Sequence, residues 1–286
     1  MVKKARIIKN ISNQYTVYFD NETHIATAMG KLRLGKRPTV GDFVEIEFLE
    51  NKWVIQKVLE RKNELIRPLI ANVDQALIVM SLREPDFSYR LVDRLIFLVA
   101  IENIEPIIVV NKVDLDSDGF LEEVVSSYEP YGYKVITTQK GDDTENITTL
   151  LKDKLTVLAG QSGVGKSSII NRIDARYQLQ TQEISKVLGR GKHTTRHNEL
   201  YLIGGGWIAD TPGFSSLDFK HVDPLDLAHR IPDFNPYHES CKFRNCLHQS
   251  EPGCVVKKAL EEGKISARRY AHYLECINII KEEAHG

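Results

Sequence analysis

The sequence predicts an α/β protein whose parallel sheet is threaded in a rearranged order, with a small β-barrel before it and a mainly helical, metal-binding segment after it. Three observations predict this. GQSGVGKSS at Gly160–Ser168 has the form GxxxxGK[ST], a backbone cradle for phosphate. NKVD at Asn111–Asp114 lies about fifty residues before the cradle. Cys241, Cys246, His248 and Cys254 fall within fourteen residues near the C-terminal end. NKxD reads a guanine base, and a nucleotide-binding chain with both motifs ordinarily places the cradle first. The reversed order points to a circularly permuted P-loop GTPase domain.

Composition sets the frame. Of 286 residues, 42% are apolar and 27% charged, values of a globular protein large enough for two or three domains. There is no run of about 18 apolar residues, so no membrane span is expected. The first ten residues, MVKKARIIKN, carry charge but no apolar core of a signal peptide, which points to the cytosol. The net charge of −1 hides an asymmetry: residues 1–67 hold 13 Lys/Arg against 8 Asp/Glu. That excess suits a nucleic-acid surface, or a solvated basic face without a partner.

Along the chain, Arg6–Asn10, Gln14–Phe19, His24–Ala28, Phe43–Phe48 and Trp53–Leu59 read as short strands rich in Val, Ile, Tyr and Phe, separated by turn residues. Five strands in about sixty residues predict a small barrel of OB or SH3 type. Its loop Lys31–Arg37 holds four basic residues in seven and suits phosphate-backbone contact. From residue 73 the pattern changes. Gln75–Met80 and Pro106–Val110 are continuous apolar runs, as in strands buried on both faces. Helical spacing marks Tyr89–Ile101, and further helices are expected at Phe120–Tyr131, Asn146–Lys152 and Lys166–Ile173. Strands are expected at Tyr133–Thr137 and Leu155–Ala159, and a hairpin at Leu200–Ile203 and Trp207–Asp210. Such alternation predicts a parallel sheet covered by helices. The domains are read as 1–67, 68–217 and 218–286.

The residue types in each motif match a chemistry. Gly160, Gly163 and Gly165 let the backbone N–H groups of Gly160, Gln161, Ser162, Gly163, Val164 and Gly165 converge on an anion. Lys166 reaches the outer phosphates; Ser167, followed by Ser168, offers a hydroxyl to Mg²⁺. Asp114 accepts two hydrogen bonds from guanine, Lys112 lies along the base, and Asn111 and Val113 complete the tetrapeptide. Thr137 and Thr138 offer a second contact to the base. DTPG at Asp210–Gly213 places Asp210 toward Mg²⁺ and the Gly213 N–H toward the γ-phosphate. A second DxxG, Asp116–Gly119, is set aside because it does not end an apolar strand. In the segment Lys186–Arg196, Thr194 or Thr195 is the second Mg²⁺ ligand. Phe214 stands where Ras-like enzymes carry a water-positioning glutamine, so His193 is the candidate to polarise water. Cys241, Cys246, His248 and Cys254 suit tetrahedral zinc, with disulfides as the alternative. Cys276 reads as ordinary core.

Together these motifs resemble the RsgA family of ribosome biogenesis GTPases, also called YjeQ or YloQ. The resemblance spans the chain and rests on NKVD, GQSGVGKSS, GKHTT, DTPG and the Cys/His cluster. It implies an OB-fold for the barrel, slow GTP hydrolysis stimulated by the 30S subunit, and contact with 16S rRNA during late 30S maturation. It also implies Mg²⁺, one zinc ion, other 30S assembly factors nearby and a monomer without membrane attachment. His193 and Phe214 match the family's switch histidine and its hydrophobic residue in place of glutamine. Two other readings stand beside it: a binding module in which nucleotide only stabilises the fold, and an ATPase. A final expectation is that the permutation couples nucleotide state to the pose of the zinc-bearing segment, because the second switch runs straight into it.

Overall fold

The computed structural model describes residues 2–33, 37–66, 68–177, 199–209, 219 and 222–283. Residues 34–36 of the basic loop therefore lie outside the described residues.

Five strands form the N-terminal barrel: β1 Val2–Ile11, β2 Gln14–Phe19, β3 Glu22–Ala28, β4 Phe43–Leu49 and β5 Lys52–Val58. Their order is β1-β2-β3-β5-β4, closed by β1 against β4, with β3 and β5 parallel. This is the OB arrangement and not an SH3 meander. Three hairpins turn on two residues with positive φ, namely Ser12-Asn13, Asp20-Asn21 and Glu50-Asn51. Two left-handed residues give a turn whose twist matches that of the strands it joins. Alternate residues Ile7, Val17, Val44, Ile46 and Ile55 are fully buried inside. Where the chain leaves the barrel, the buried Arg61 clamps Asp42 through two hydrogen bonds of 2.6 and 2.7 Å. A short hairpin not anticipated from sequence follows, β6 Glu64–Ile66 and β7 Leu69–Ala71.

The remaining strands are β8 Gln75–Ser81, β9 Glu105–Asn111, β10 Lys134–Thr138, β11 Leu155–Ala159, β12 Leu200–Ile203 and β13 Gly206–Ala209. They build one sheet in the order β10-β9-β8-β11-β13-β12. Pairs β9–β10 and β11–β13 are parallel, and only the β12–β13 pair is a hairpin. β8 and β11 are buried at every position, which explains their unbroken apolar sequence. The circularly permuted GTPase fold expected from the motif order is thus present. Helix α1, Tyr89–Ile101, begins at Ser88, whose side chain accepts the Leu91 N–H at 3.2 Å. Helices α2 Phe120–Ser126, α3 Glu145–Leu151 and α4 Lys166–Ile173 follow. α2 is shorter than the expected Phe120–Tyr131: the chain passes into a 3₁₀ turn at Glu129–Tyr131, because Pro130 disfavours helix in the residue before it. Asp116 of the set-aside DxxG accepts the N–H groups of Phe120 and Leu121, so it starts this helix.

The C-terminal region holds α5 Pro224–Arg230, α6 Val255–Glu261 and α7 Ala267–Glu283. Among the described residues no helix is long and apolar enough to cross a membrane. By internal contacts the chain falls into two compact units. One comprises Met1–Gln75, Asp143–Leu158 and Lys166–Gly213; the other comprises Ala76–Asp142, Ala159–Gly165 and Phe214–Gly286.

Candidate nucleotide and metal sites

β11 ends at Ala159 and the chain turns at Gly160, where φ is +127°. A Cβ there would sit 2.1 Å from the Val79 carbonyl oxygen. At Gly165, φ is +97° and a Cβ would sit 2.2 Å from the Asn111 amide nitrogen. Both positions therefore require glycine for space as well as conformation. Gly163 has φ +84° but its nearest neighbour would be a Pro85 side-chain carbon at 3.7 Å, so conformation alone demands glycine there. Val164 is fully buried and pins the loop. Ser162, Gly163, Ser167 and Ser168 are exposed, while Gln161, Gly165 and Lys166 are half-buried. α4 starts at Lys166, so its first-turn N–H groups accompany an exposed hydroxyl pair. Burial lowers the Lys166 ammonium from its ordinary pKa, and a neighbouring anion would restore it.

Asn111 is the last residue of β9 and is buried. Its amide nitrogen donates to the Val164 carbonyl oxygen at 2.8 Å. The two motifs, far apart in sequence, are thereby joined, and Asn111–Asp114 belong to the same compact unit as Gly160–Gly165. Asn111, expected from sequence in the guanine tetrapeptide, thus also supports the cradle through its amide. Lys112 takes a left-handed conformation, φ +58°, and its ammonium donates to the Glu84 carbonyl oxygen. A 3₁₀ turn over Val113–Leu115 leaves Asp114 exposed beyond the end of the strand. Thr138 is buried and paired in register with Asn111; Thr137 is exposed beside Val110. His193, Thr194, Thr195, Asp210, Gly213 and Phe214 lie outside the described residues.

The ligand atoms of Cys241, Cys246, His248 and Cys254 all lie within 4.8 Å of one another. Cys241 Sγ is 3.7 Å from His248 Nδ1 and 4.0 Å from Cys254 Sγ, and Cys254 Sγ is 3.4 Å from His248 Nδ1. A tetrahedron with metal–sulfur arms of about 2.3 Å has edges of about 3.8 Å, so these separations fit zinc. They are far longer than a disulfide, and all four cysteines are free. His248 is fully buried with φ +56°, and its Nε2 lies 3.3 Å from the Ala228 carbonyl oxygen. That contact turns Nδ1 toward the sulfurs, the usual outer support of a metal-bound histidine. Burial pushes the His248 imidazolium down to about 4, leaving a neutral ring, and pushes the Cys246 thiol up to about 12. Buried thiols of this kind ionise only beside a cation, and a soft dication is the partner that suits them. The N–H groups of Val255 and Lys257 donate to Cys241 and Cys254 Sγ at 3.3 and 3.4 Å. Glu251 accepts the N–H groups of Leu247, Gln249 and Ser250, which closes the turn carrying His248.

One feature of the same unit has no signature in the sequence. Arg269 of α7 is 3% exposed and donates to Asp93 of α1 at 3.2 Å, to Asp233, and to the Ser127 carbonyl oxygen at 2.8 Å. Its guanidinium carbon lies 4.8, 5.3 and 4.5 Å from the ring centres of Tyr128, Tyr131 and Tyr133. The Tyr133 hydroxyl donates to Asp233 and the Tyr128 hydroxyl to Asp93. His272 Nδ1 lies 2.6 Å from Asp93. Four segments distant in sequence thus meet in one buried ionic cluster, which fastens the cysteine-bearing region to α1 and to the start of β10.

Comparison with known proteins agrees with this geometry. A sequence profile described as RsgA GTPase matches residues 58–220. Small ribosomal subunit biogenesis GTPase RsgA 2 of Oceanobacillus iheyensis is 46% identical over 285 residues, covering 97% of each chain. The small ribosomal subunit biogenesis GTPase RsgA of Geobacillus sp. (strain WCH70) is 46% identical over 286 residues, 98% of each chain. Among solved structures, the circularly permuted GTPase YloQ superposes with a TM-score of 0.82 at 38% identity, over 99% of this chain and 96% of its own. YjeQ from Thermotoga maritima gives 0.83 at 32% identity, over 98% of this chain and 99% of its own.

Proposed function

The chain belongs to the RsgA family of small ribosomal subunit biogenesis GTPases, and we propose that it binds the 30S subunit through 16S rRNA, assists late maturation, and leaves on GTP hydrolysis. The observation that carries the nucleotide half of this reading is the hydrogen bond from Asn111 to Val164, which joins the guanine tetrapeptide to the phosphate cradle. The partner half rests on the relatives' names and on full-length similarity to them.

In this reading each part of the chain has a task. The segment 1–67 is the RNA-binding barrel, 68–217 the GTPase domain and 218–286 the zinc-binding domain. The N–H groups from Gly160 to Gly165 hold the phosphates, and Lys166 neutralises the outer ones. Asp114 selects guanine by accepting from its ring N–H and exocyclic amine, while Lys112 lies along the ring and Thr137 or Thr138 closes the base edge. Ser167, Asp210 and one of Thr194 and Thr195 are the residues that would hold Mg²⁺, which supplies charge neutralisation on the phosphates when bound. The Gly213 N–H holds the γ-phosphate, and His193 holds the attacking water where Phe214 cannot. Slow turnover in the absence of the subunit follows from that substitution. Cys241, Cys246, His248 and Cys254 hold one zinc ion, a cross-link for a segment with little apolar core of its own. The protein works as a monomer in the cytoplasm, where ribosomal subunits mature.

Nucleotide protection against thermal unfolding tests the reading. GTP and GDP raise the melting temperature and ATP does not. Asp114→Asn exchanges that preference for xanthine nucleotides, because the asparagine amide meets a carbonyl where guanine has its amine. Equal protection by ATP and GTP contradicts the proposal and favours an ATPase.

A further inference from the structure

The hairpin β12–β13 stands between the two segments assigned to the γ-phosphate. Glu199 follows Thr195 by four residues, and Trp207 precedes Asp210 by three. The same hairpin meets the barrel, within one compact unit. Lys9 of β1 forms an isolated antiparallel bridge with Glu199, and their side chains make an ion pair of 2.8 Å. Tyr18 of β2 meets Trp207 of β13 edge to face, with ring centres 4.9 Å apart.

We infer that this hairpin is the element through which nucleotide state and the barrel's ligand act on one another, with Lys9–Glu199 and Tyr18–Trp207 as positioning pairs. The inference rests on the proposed function, since it takes the barrel as the rRNA-binding part and the flanking segments as γ-phosphate sensors. Three features of the joint support it. First, β1 shifts register against β2 between Ile7 and Lys9, a bulge that re-aims Lys9. Bulges of this kind mark places where a strand redirects a side chain.

Second, the turn of the hairpin is fixed. A Cβ on Gly206 would lie 1.7 Å from the Leu151 carbonyl oxygen, and the Trp207 N–H donates to the Lys154 carbonyl oxygen at 2.8 Å. The tip is thus held by the connection from α3 to β11. The barrel meets the hairpin near both ends, through Tyr18 at Trp207 beside the turn and through Lys9 at Glu199, where the first flanking segment joins it.

Third, the joint is not flush. A cavity of about 510 Å³ lies in it, lined by Ile8, Thr23, Tyr177 and Tyr201 besides the two pairs. An attachment at two points around a cavity can shift without dismantling either core. β12 is also the edge strand of the sheet, and β1 bridges only Glu199, the residue just before it, so a shift there costs one bridge and not a ladder. Any ligand of the barrel that favours one setting of this joint favours one setting of the flanking segments, and the reverse follows by linkage.

The test is the affinity of the full chain for purified small ribosomal subunits, measured with a non-hydrolysable GTP analogue and with GDP. Subunit-stimulated turnover is measured alongside. The wild type binds more tightly with the GTP analogue. In Trp207→Ala and Lys9→Glu the ratio of the two affinities falls by about fivefold or more, while basal GTP hydrolysis and GDP affinity stay unchanged. Lys9→Glu combined with Glu199→Lys restores the ratio, and Tyr18→Phe, which keeps the ring, retains it. Variants that weaken subunit binding equally in both nucleotide states make the joint a static strut and overturn the inference. A wild type whose subunit affinity is the same with both nucleotides overturns the switch reading itself, and this inference with it.

Discussion

Arg269→Met removes the one cation at the centre of the cluster that fastens the cysteine-bearing region. Asp93 and Asp233 are 2% and 6% exposed, so the change leaves two buried carboxylates without their guanidinium partner. Breaking a buried pair by removing one member costs about 3–5 kcal/mol, mostly from the stranded charge. Part is offset, because Tyr133 still donates to Asp233, and Tyr128 and His272 still contact Asp93. Methionine also keeps much of the packing against the three tyrosine rings. The expected loss is therefore about 3 kcal/mol at pH 7.5, or roughly 6–12 °C in melting temperature for a chain of this size. The pH dependence has a definite sign. Burial already holds the Asp233 carboxyl above its ordinary value, with Arg269 pulling it back down. Without Arg269 its folded pKa rises further. A carboxyl with a raised folded pKa contributes stability below its unfolded pKa and loses it as pH rises through the folded one. The penalty of the variant is thus full near pH 8 and shrinks toward pH 5. Urea unfolding of wild type and variant at pH 7.5 and 5.5 measures it. A second change, Asp233→Asn in the same background, recovers part of the loss at pH 7.5. A loss below about 1 kcal/mol, or one that grows as the pH falls, refutes the assignment of a stranded buried charge.

Three further predictions concern the sites. Gly165→Ala lowers GTP affinity roughly tenfold or more, since it adds left-handed strain and displaces the Asn111 amide, whereas Gly163→Ala carries strain alone and loses less; equilibrium titration with a fluorescent GDP analogue distinguishes the two. Elemental analysis finds about one zinc per chain, and Cys246→Ser lowers that content together with the melting temperature; a metal-free wild type that melts unchanged contradicts a structural zinc. His193→Ala keeps GTP affinity and loses subunit-stimulated turnover, as single-turnover hydrolysis with and without subunits reads directly.

What the sequence disclosed depended on how local the chemistry is. The cradle, NKVD and the Cys/His cluster each put their functional atoms within about a dozen residues, so spacing alone carried them. The glycines at 160 and 165 were legible as a phosphate loop, but the reasons they cannot be replaced, Val79 and Asn111, come from other strands. Asn111 itself was placed with the base, and its amide is engaged by Val164, a partner no local pattern names. The Arg269 cluster was invisible because residues 93, 127, 133, 233 and 269 meet only in three dimensions. The expected coupling of nucleotide state to the zinc-bearing segment was argued from chain order after DTPG. The contacts described here fasten that region to α1 and β10, and they fasten the barrel to the hairpin β12–β13. Chain order names neighbours along the chain, whereas the side chains that transmit force are chosen by packing.

The central claim, a GTP hydrolase whose turnover answers to the small ribosomal subunit, is tested most directly by phosphate release from GTP with and without purified 30S subunits. The account predicts slow release from the protein alone, a marked rise with subunits present, and none from ATP. Lys166→Ala abolishes both rates. A GTP turnover that 30S subunits leave unchanged contradicts the account.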